Sequence, residues 1–319
     1  MDLKDKQILY QLDLGARQSN TQIGKKVGLS KDVVNYRIKN LEKDVIKGYY
    51  TVIDTAKLGY FSFRVYIKFL DVNPEKEKEI LDYLVKDKQT FFVINIDGVF
   101  DVGFGVWVKD IYEFENFYNN FKKKYVQFIG KESISMFTSY YISNRSYILD
   151  KKVENIIEYG KHKSLKYDNV DLEILNLISS NARIPVIEIS RKLNIPERTI
   201  AFRIRRLEKN KIIQGYRALL NLELLNYKYY KVDFKLKSIL KLKEMISYAK
   251  IHPNIVYVNQ TIAGSDFEFD LEVEGKKEFL RVIDDLRGKF PEIREWNYFT
   301  VRNYNKLIYF PQNNVDSQN

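Results

Sequence analysis

The sequence predicts an α+β chain: two winged helix-turn-helix domains and two βαββαβ ferredoxin-like domains in tandem, a pseudo-dimer within one polypeptide. Three observations predict it. Residues 30–49, SKDVVNYRIKNLEKDVIKGY, return as residues 196–216, PERTIAFRIRRLEKNKIIQGY, 166 positions later and with one extra residue in the turn. Each copy follows two short amphipathic segments. Each is followed by strand-like and helix-like periodicities in the order βαββαβ.

In the first copy, Ile8, Leu9 and Leu12 mark one side of a helix over residues 5–14. Residues 20–27 make a second helix, with Asn20 as its expected cap and Ile23 and Val27 inward. Gly28-Leu29-Ser30 is a tight turn, with Ser30 placed to cap the helix that follows. There Val34, Ile38 and Leu41 fall at i, i+4 and i+7, as Ile200, Ile204 and Leu207 do in the second copy. Gly48 to Ile53 supplies the returning strand of the wing. Asp5, Ile8, Leu9, Ala16, Arg17, Ile23 and Lys26 recur at constant offset as Asp171, Ile174, Leu175, Ala182, Arg183, Ile189 and Lys192, so the chain contains an internal duplication.

The unit after each head opens on an alternating strand, FSFRVYIKFL (61–70) or KYYKVDFKLK (228–237). Helices are expected over 74–87 and 111–125, and over 238–250 and 276–288. Strands are expected over 91–96, 100–108 and 132–142, and over 255–262, 267–273 and 294–302. Such a sheet leaves one face uncovered, and a second such sheet is the simplest cover. Expected boundaries are 1–54 and 169–221 for the winged heads, 55–145 and 222–311 for the sheet domains, 146–168 for a linker and 312–319 for a disordered tail.

Composition bounds the function. The 319 residues are 45% hydrophobic and 30% charged, as in globular domains, and carry a net charge of +11 that suits a polyanionic partner. Cysteine is absent, which excludes disulfides and thiolate chemistry. No apolar run is long enough to span a membrane, and the start MDLKDKQ is no signal peptide, so the expected location is cytoplasmic and nucleoid-associated. No phosphate-binding glycine motif, metal-ligand cluster or cofactor motif is recognised, so no catalytic residue, metal or cofactor is expected.

A winged helix-turn-helix followed by βαββαβ resembles the Lrp/AsnC (feast/famine) family of transcription regulators. The resemblance rests on Ala16-Arg17, Ile23, Gly28-Leu29-Ser30, Val34, Arg37-Ile38, Leu41-Glu42, Val45-Ile46-x-Gly48-Tyr49 and Leu58-Gly59. The second copy keeps Ala182-Arg183, Arg203-Ile204, Leu207-Glu208 and Ile212-Ile213-x-Gly215-Tyr216, and has Asn226 in place of Gly59. The resemblance implies double-stranded DNA as partner, an amino acid or similar small effector at the sheet interface, and a pseudo-dimer that can assemble further. It implies a regulator and not an enzyme.

For base reading the expected residues are Asn35, Tyr36 and Lys39 in the first copy and Arg198, Phe202 and Arg205 in the second. Lys31, Lys43, Arg206 and Lys209 suit phosphates. Arg37 and Arg203 lie beside the inward row, where DNA contact and pairing with an acidic neighbour are equally open. For the effector, Gly98 and Asp101 resemble the family's Gly-x-x-Asp turn, and Gly264 and Asp266 stand in the second copy with a one-residue departure. The alternative is a hairpin turn. Gly103 and Gly105 mark close approach of another backbone or a bulge. A rival class on this architecture, the sirohaem decarboxylases, uses histidine in the sheet unit, whereas His162 and His252 are expected at the surface outside the sheets. The other rival is a non-specific architectural DNA-binding protein. Because the two reading faces differ, an asymmetric DNA site is expected.

Overall fold

Residues 1–161 and 164–312 are described by the computed structural model. His162 and the tail beyond residue 312 lie outside them. Head one comprises α1 (Leu3–Leu14), α2 (Asn20–Val27), α3 (Lys31–Asp44) and β1 (Ile46–Ile53). Ser19, not the expected Asn20, caps α2, because its hydroxyl accepts the Gln22 N–H while the Gln22 side chain accepts the Ser19 N–H. Gly28, with φ 68°, closes α2, and the Ser30 hydroxyl accepts the Val33 N–H to start α3.

The first sheet unit follows as β2 (Phe61–Phe69), α4 (Pro74–Lys86), β3 (Thr90–Gly98), β4 (Val102–Val108), α5 (Ile111–Tyr125) and β5 (Ile129–Ser143). The stretch expected as a linker adds a strand, β6 (Ile156–Tyr159), to the edge of β5. Head two is α6 (Asn169–Ser179), α7 (Val186–Leu193), α8 (Glu197–Lys209) and β7 (Ile213–Leu220). The second unit is β8 (Lys228–Leu236), α9 (Leu242–Ile251), β9 (Ile255–Ile262), β10 (Phe267–Val273), α10 (Lys276–Lys289) and β11 (Ile293–Leu307).

Two unusually long strands close the molecule. The first half of β5 pairs with β2 of its own unit and the second half with β9 of the other. Likewise β11 pairs with β8 and then with β3. The ring β2-β4-β3-β11-β8-β10-β9-β5 therefore closes on itself, since β5 also bonds β2. Among the described residues, closure leaves β6 as the end strand of this nine-stranded sheet, and the two halves of the sheet cover each other inside one chain.

Alternation along β2 explains both of its faces. Phe63, Val65 and Ile67 pack under α4 and α5 against Ile80, Leu84 and Phe121. Ser62, Arg64 and Tyr66, on the other face, are buried against the second sheet. On β10 the same inward face carries Glu268, Asp270 and Glu272. Gly103 and Gly105 in β4 make room for side-chain rings and not for another backbone. A Cβ at Gly103 would lie 2.8 Å from the Tyr66 ring, and one at Gly105 2.4 Å from Phe92.

The wings pair with each other. Each head has one strand after its third helix, and β1 runs antiparallel to β7 with Tyr50 opposite Arg217, its own equivalent in the duplication. A pseudo-twofold axis passes through that pair. Each head also packs on the sheet unit of the other half. Tyr60 and Trp107 of the first half join the core of head two, while Val256 of the second half joins that of head one, together with Tyr147 and Ile148 from the segment after β5.

Candidate nucleic-acid interface

On α3 the buried row is Val34, Ile38 and Leu41, and on α8 it is Ile200, Ile204 and Leu207. The helical period then forces the intervening residues outward. Lys31, Asn35, Tyr36, Lys39 and Lys43 are exposed on α3, and Arg198, Phe202, Arg205 and Lys209 on α8. Tyr36 is 67% exposed and Phe202 59%, unusual for rings of that size. Asn35 accepts from Asn20 Nδ2 at 3.2 Å, so α2 holds its amide in place. Lys43 donates to Asn40 Oδ1 at 3.0 Å.

The arginines beside the inward row are tied down. Arg37 reaches Asp2 at 2.8 Å and Asp5 at 2.7 Å, at the N-terminus of α1. Arg203 reaches Asp168 at 2.7 Å and Asp171 at 3.0 Å at the start of α6, and Arg206 also bonds Asp171. Asp2 is held below the usual carboxylate range, first by the Asp5 N–H and then by Arg37. Each of these arginines therefore clamps the reading helix to the first helix of its own head.

The heads are locked to each other by reciprocal contacts. Arg17 Nη1 donates to the Ala182 carbonyl at 2.9 Å, and Arg183 Nη1 to the Ala16 carbonyl at 2.6 Å. The Ala16 N–H bonds Tyr216 O, and the Ala182 N–H bonds Tyr49 O. Arg17 lies over the Tyr216 ring and Arg183 over that of Tyr49. The Ala-Arg and Gly-Tyr motifs that mark the duplication are thus the residues that join its two copies.

The turns singled out for an effector are engaged locally. Asp101 takes Lys68 Nζ at 2.6 Å and the Phe69 N–H at 2.7 Å, fastening its hairpin to β2. Asp266 takes the N–H of Leu236, the equivalent of Phe69, at 2.8 Å. Gly98 sits opposite Phe299, where a Cβ would lie 2.7 Å from the Phe299 Cβ. Gly264 accepts Lys235 Nζ at 2.9 Å through its carbonyl.

Sequence reasoning missed the charges between the sheets. Arg64 forms a bidentate pair with Glu268 at 2.9 and 2.7 Å, and Lys231 reaches Asp233 at 2.8 Å and Glu268 at 3.2 Å. Further along, Arg145 bridges Asp13 and Glu272, both at 2.8 Å, and Arg217 bonds Asp13 at 2.6 Å. This second cluster joins α1 of head one, β7 of head two and β10. His252, expected at the surface, is partly buried beside Tyr248, and burial lowers its pKa to about 4.

Residues 1–44 and 167–214 match the family model described as winged helix-turn-helix DNA-binding. An HTH-type transcriptional regulator of Pyrococcus horikoshii, PH1055, is 34% identical over 116 residues, 34% of this chain and 70% of that protein. The chain belongs to the Lrp/AsnC family. The regulator LrpA of the same organism is 42% identical over 85 residues, 26% of this chain and 59% of LrpA. The chain is an Lrp/AsnC-type transcription regulator by family.

One expectation is corrected by the fold. The siroheme decarboxylase NirDL has a TM-score of 0.65 with this chain at 11% identity, covering 97% of this chain and 94% of its own. A tandem architecture of this kind is therefore also that of an enzyme, and the expectation that the chain is not an enzyme does not stand. The sequence argument rested on the absence of recognised catalytic motifs and of histidine in the sheet units, and neither absence excludes chemistry on this fold.

Proposed function

We propose that this regulator binds double-stranded DNA sequence-specifically through two unequal reading heads and recognises an asymmetric site. The observation that carries this is the pairing of the two wing strands about a pseudo-twofold axis while the exposed side chains of the two reading helices differ. Asn35, Tyr36 and Lys39 stand on one, and Arg198, Phe202 and Arg205 on the other. Arginine suits guanine and asparagine suits adenine in the major groove, and an aromatic ring suits the thymine methyl. Lys31, Lys43 and Lys209 supply phosphate contacts, which set affinity and salt dependence without reading sequence. Arg37, Arg203 and Arg206 act by holding the helices. On this reading residues 1–54 and 169–221 are the heads, and the protein works in the cytoplasm on the nucleoid.

The test is selection of bound sequences from random duplex DNA, repeated with Arg198→Ala/Arg205→Ala and with Asn35→Ala/Lys39→Ala. The expected outcome is one enriched motif that loses a different half in each double variant. Salt-sensitive binding with no enrichment would replace this reading with an architectural one.

An amino-acid-like effector at the turns of Gly98, Asp101, Gly264 and Asp266 belongs to the same proposal. Its ammonium group would have to compete with Lys68 for Asp101. A second reading, chemistry on a tetrapyrrole, is favoured by the whole-chain likeness to NirDL, which has also been solved with an iron-uroporphyrin III analogue. A macrocycle seated between the sheets would have to part Arg64 from Glu268. Absence of any spectral change on adding iron-uroporphyrin III would dismiss it.

A further inference from the structure

Where head one meets its sheet unit, a cavity of about 130 Å³ lies between the start of β2, β5 and the end of β6. Asp54 lines it and is 1% exposed, and one of its carboxylate oxygens, Oδ1, has no hydrogen-bond partner. The donors near this carboxyl are neutral: the Gly160 and Ala56 backbone and the Gln214 side chain. Lys57 acts on it through its charge, and the Lys57 ammonium donates to the Asn210 carbonyl at 3.0 Å. Opposite stand three rings in a row. Phe137 stacks on Tyr140 with centroids 4.7 Å apart, and Tyr140 on Tyr159 at 4.8 Å. A buried carboxylate short of one partner, facing aromatic walls, matches the two things a cation needs.

We propose that this cavity binds a small organic monoammonium compound, its ammonium group on Asp54 and its carbon chain against Phe137, Tyr140 and Tyr159. Its volume suits about four to six non-hydrogen atoms, near the size of a cavity that holds benzene. Among the described residues that line the cavity none is basic, so no lining side chain among them balances a carboxylate. The ligand class is therefore an amine and not a zwitterionic amino acid, which separates this site from the effector turns at Asp101 and Asp266.

The duplication supplies a control. Asn221 is the equivalent of Asp54, and both N–H groups make the same contact across the head pair, Asp54 to Ile212 O and Asn221 to Val45 O, each at 2.8 Å. The second copy thus has an amide where the first has a carboxylate. One site per chain is expected, and Asp54→Asn places at this position a residue its backbone setting already accepts.

Binding is measured by calorimetry on the full chain with n-butylammonium chloride, 1-butanol, norvaline and potassium chloride. The ammonium compound is expected to bind one to one, with norvaline and butanol weaker by at least about 10-fold and Asp54→Asn lowering its affinity by about 10- to 100-fold. Equal binding of butanol would mean a purely apolar hole, equal or tighter binding of norvaline an amino-acid site, and equal binding of potassium a simple cation site. Each of these, or no heat at all, overturns the proposal. Should Asp54→Asn fail to fold, the ranking of ligands on the unaltered chain still decides. The measurement needs no DNA, so it stands or falls apart from the DNA-reading proposal.

Discussion

Asp270 points into the space between the sheets, its Oδ1 without a hydrogen bond and 3.8 Å from Lys231 Nζ, while Oδ2 accepts the Tyr229 hydroxyl at 2.7 Å. Burial is the main reason its pKa rises to about 6, and Glu268 adds to the rise, while Lys231, the Tyr229 hydrogen bond and Arg64 oppose it. Asp233, Tyr66 and Tyr304 complete its titratable surroundings. A carboxyl whose pKa is higher folded than unfolded binds more protons in the native state, so stability falls as pH rises through the range from about 4 to 6. Asp270→Asn should therefore be more stable than the parent at pH 7.5, by up to about 3 kcal/mol, and no more stable below pH ~4. Urea unfolding of both proteins across that range is the check, and a difference independent of pH would refute the titration argument. The sequence concealed this residue. FEFDLEV alternates like a strand with one wet face, and only the facing sheet turns its acids inward. The inward rows of α3 and α8 were readable because a helix's period is local, whereas the partner of a sheet face lies hundreds of residues away.

At the scale of elements, the two third helices depend on how the heads are joined. The repeat of Ala-Arg and Gly-Tyr was visible in the sequence as a motif, but its meaning was not, since Arg17 finds its partner 165 residues away. The wing strand, expected over Gly48 to Ile53, likewise lay in the right place, though it starts at Ile46 and its pairing partner is the other wing. Removing either arginine takes a charged donor from a partly buried carbonyl, so Arg17→Ala and Arg183→Ala should each destabilise the chain by about 1–2 kcal/mol. Because both act on one interface, the double variant should depart from the sum of the single ones. Chemical denaturation measures this. In the DNA selection, the double variant should keep both half-motifs and lose their fixed spacing. Single variants that match the parent in stability would mean that β1 and β7 alone hold the heads.

For the whole molecule, duplication has been followed by divergence that makes the halves complementary. In the charge clusters between them, the first half supplies Arg64, Arg145 and Asp13, and the second supplies Lys231, Arg217, Asp233, Glu268, Asp270 and Glu272. The equivalents of Glu268, Asp270 and Glu272 on β4 are Gly103, Gly105 and Trp107, so only one sheet has an acidic inner wall. Two second halves facing each other would bring eight carboxylates against four cations in a buried space, and Glu272 would lose Arg145. Two first halves would leave their arginines underpaired. Uncompensated buried charge of either sign is strongly destabilising, by several kcal/mol for each ion. A chain divided between Gly160 and Ser164 and produced as two polypeptides should therefore assemble one to one when mixed, in preference to either homodimer. Native mass spectrometry of the mixture measures the ratio directly. A statistical mixture of the three dimers would show that the backbone ring of strands, and not the charges inside it, determines which half pairs with which.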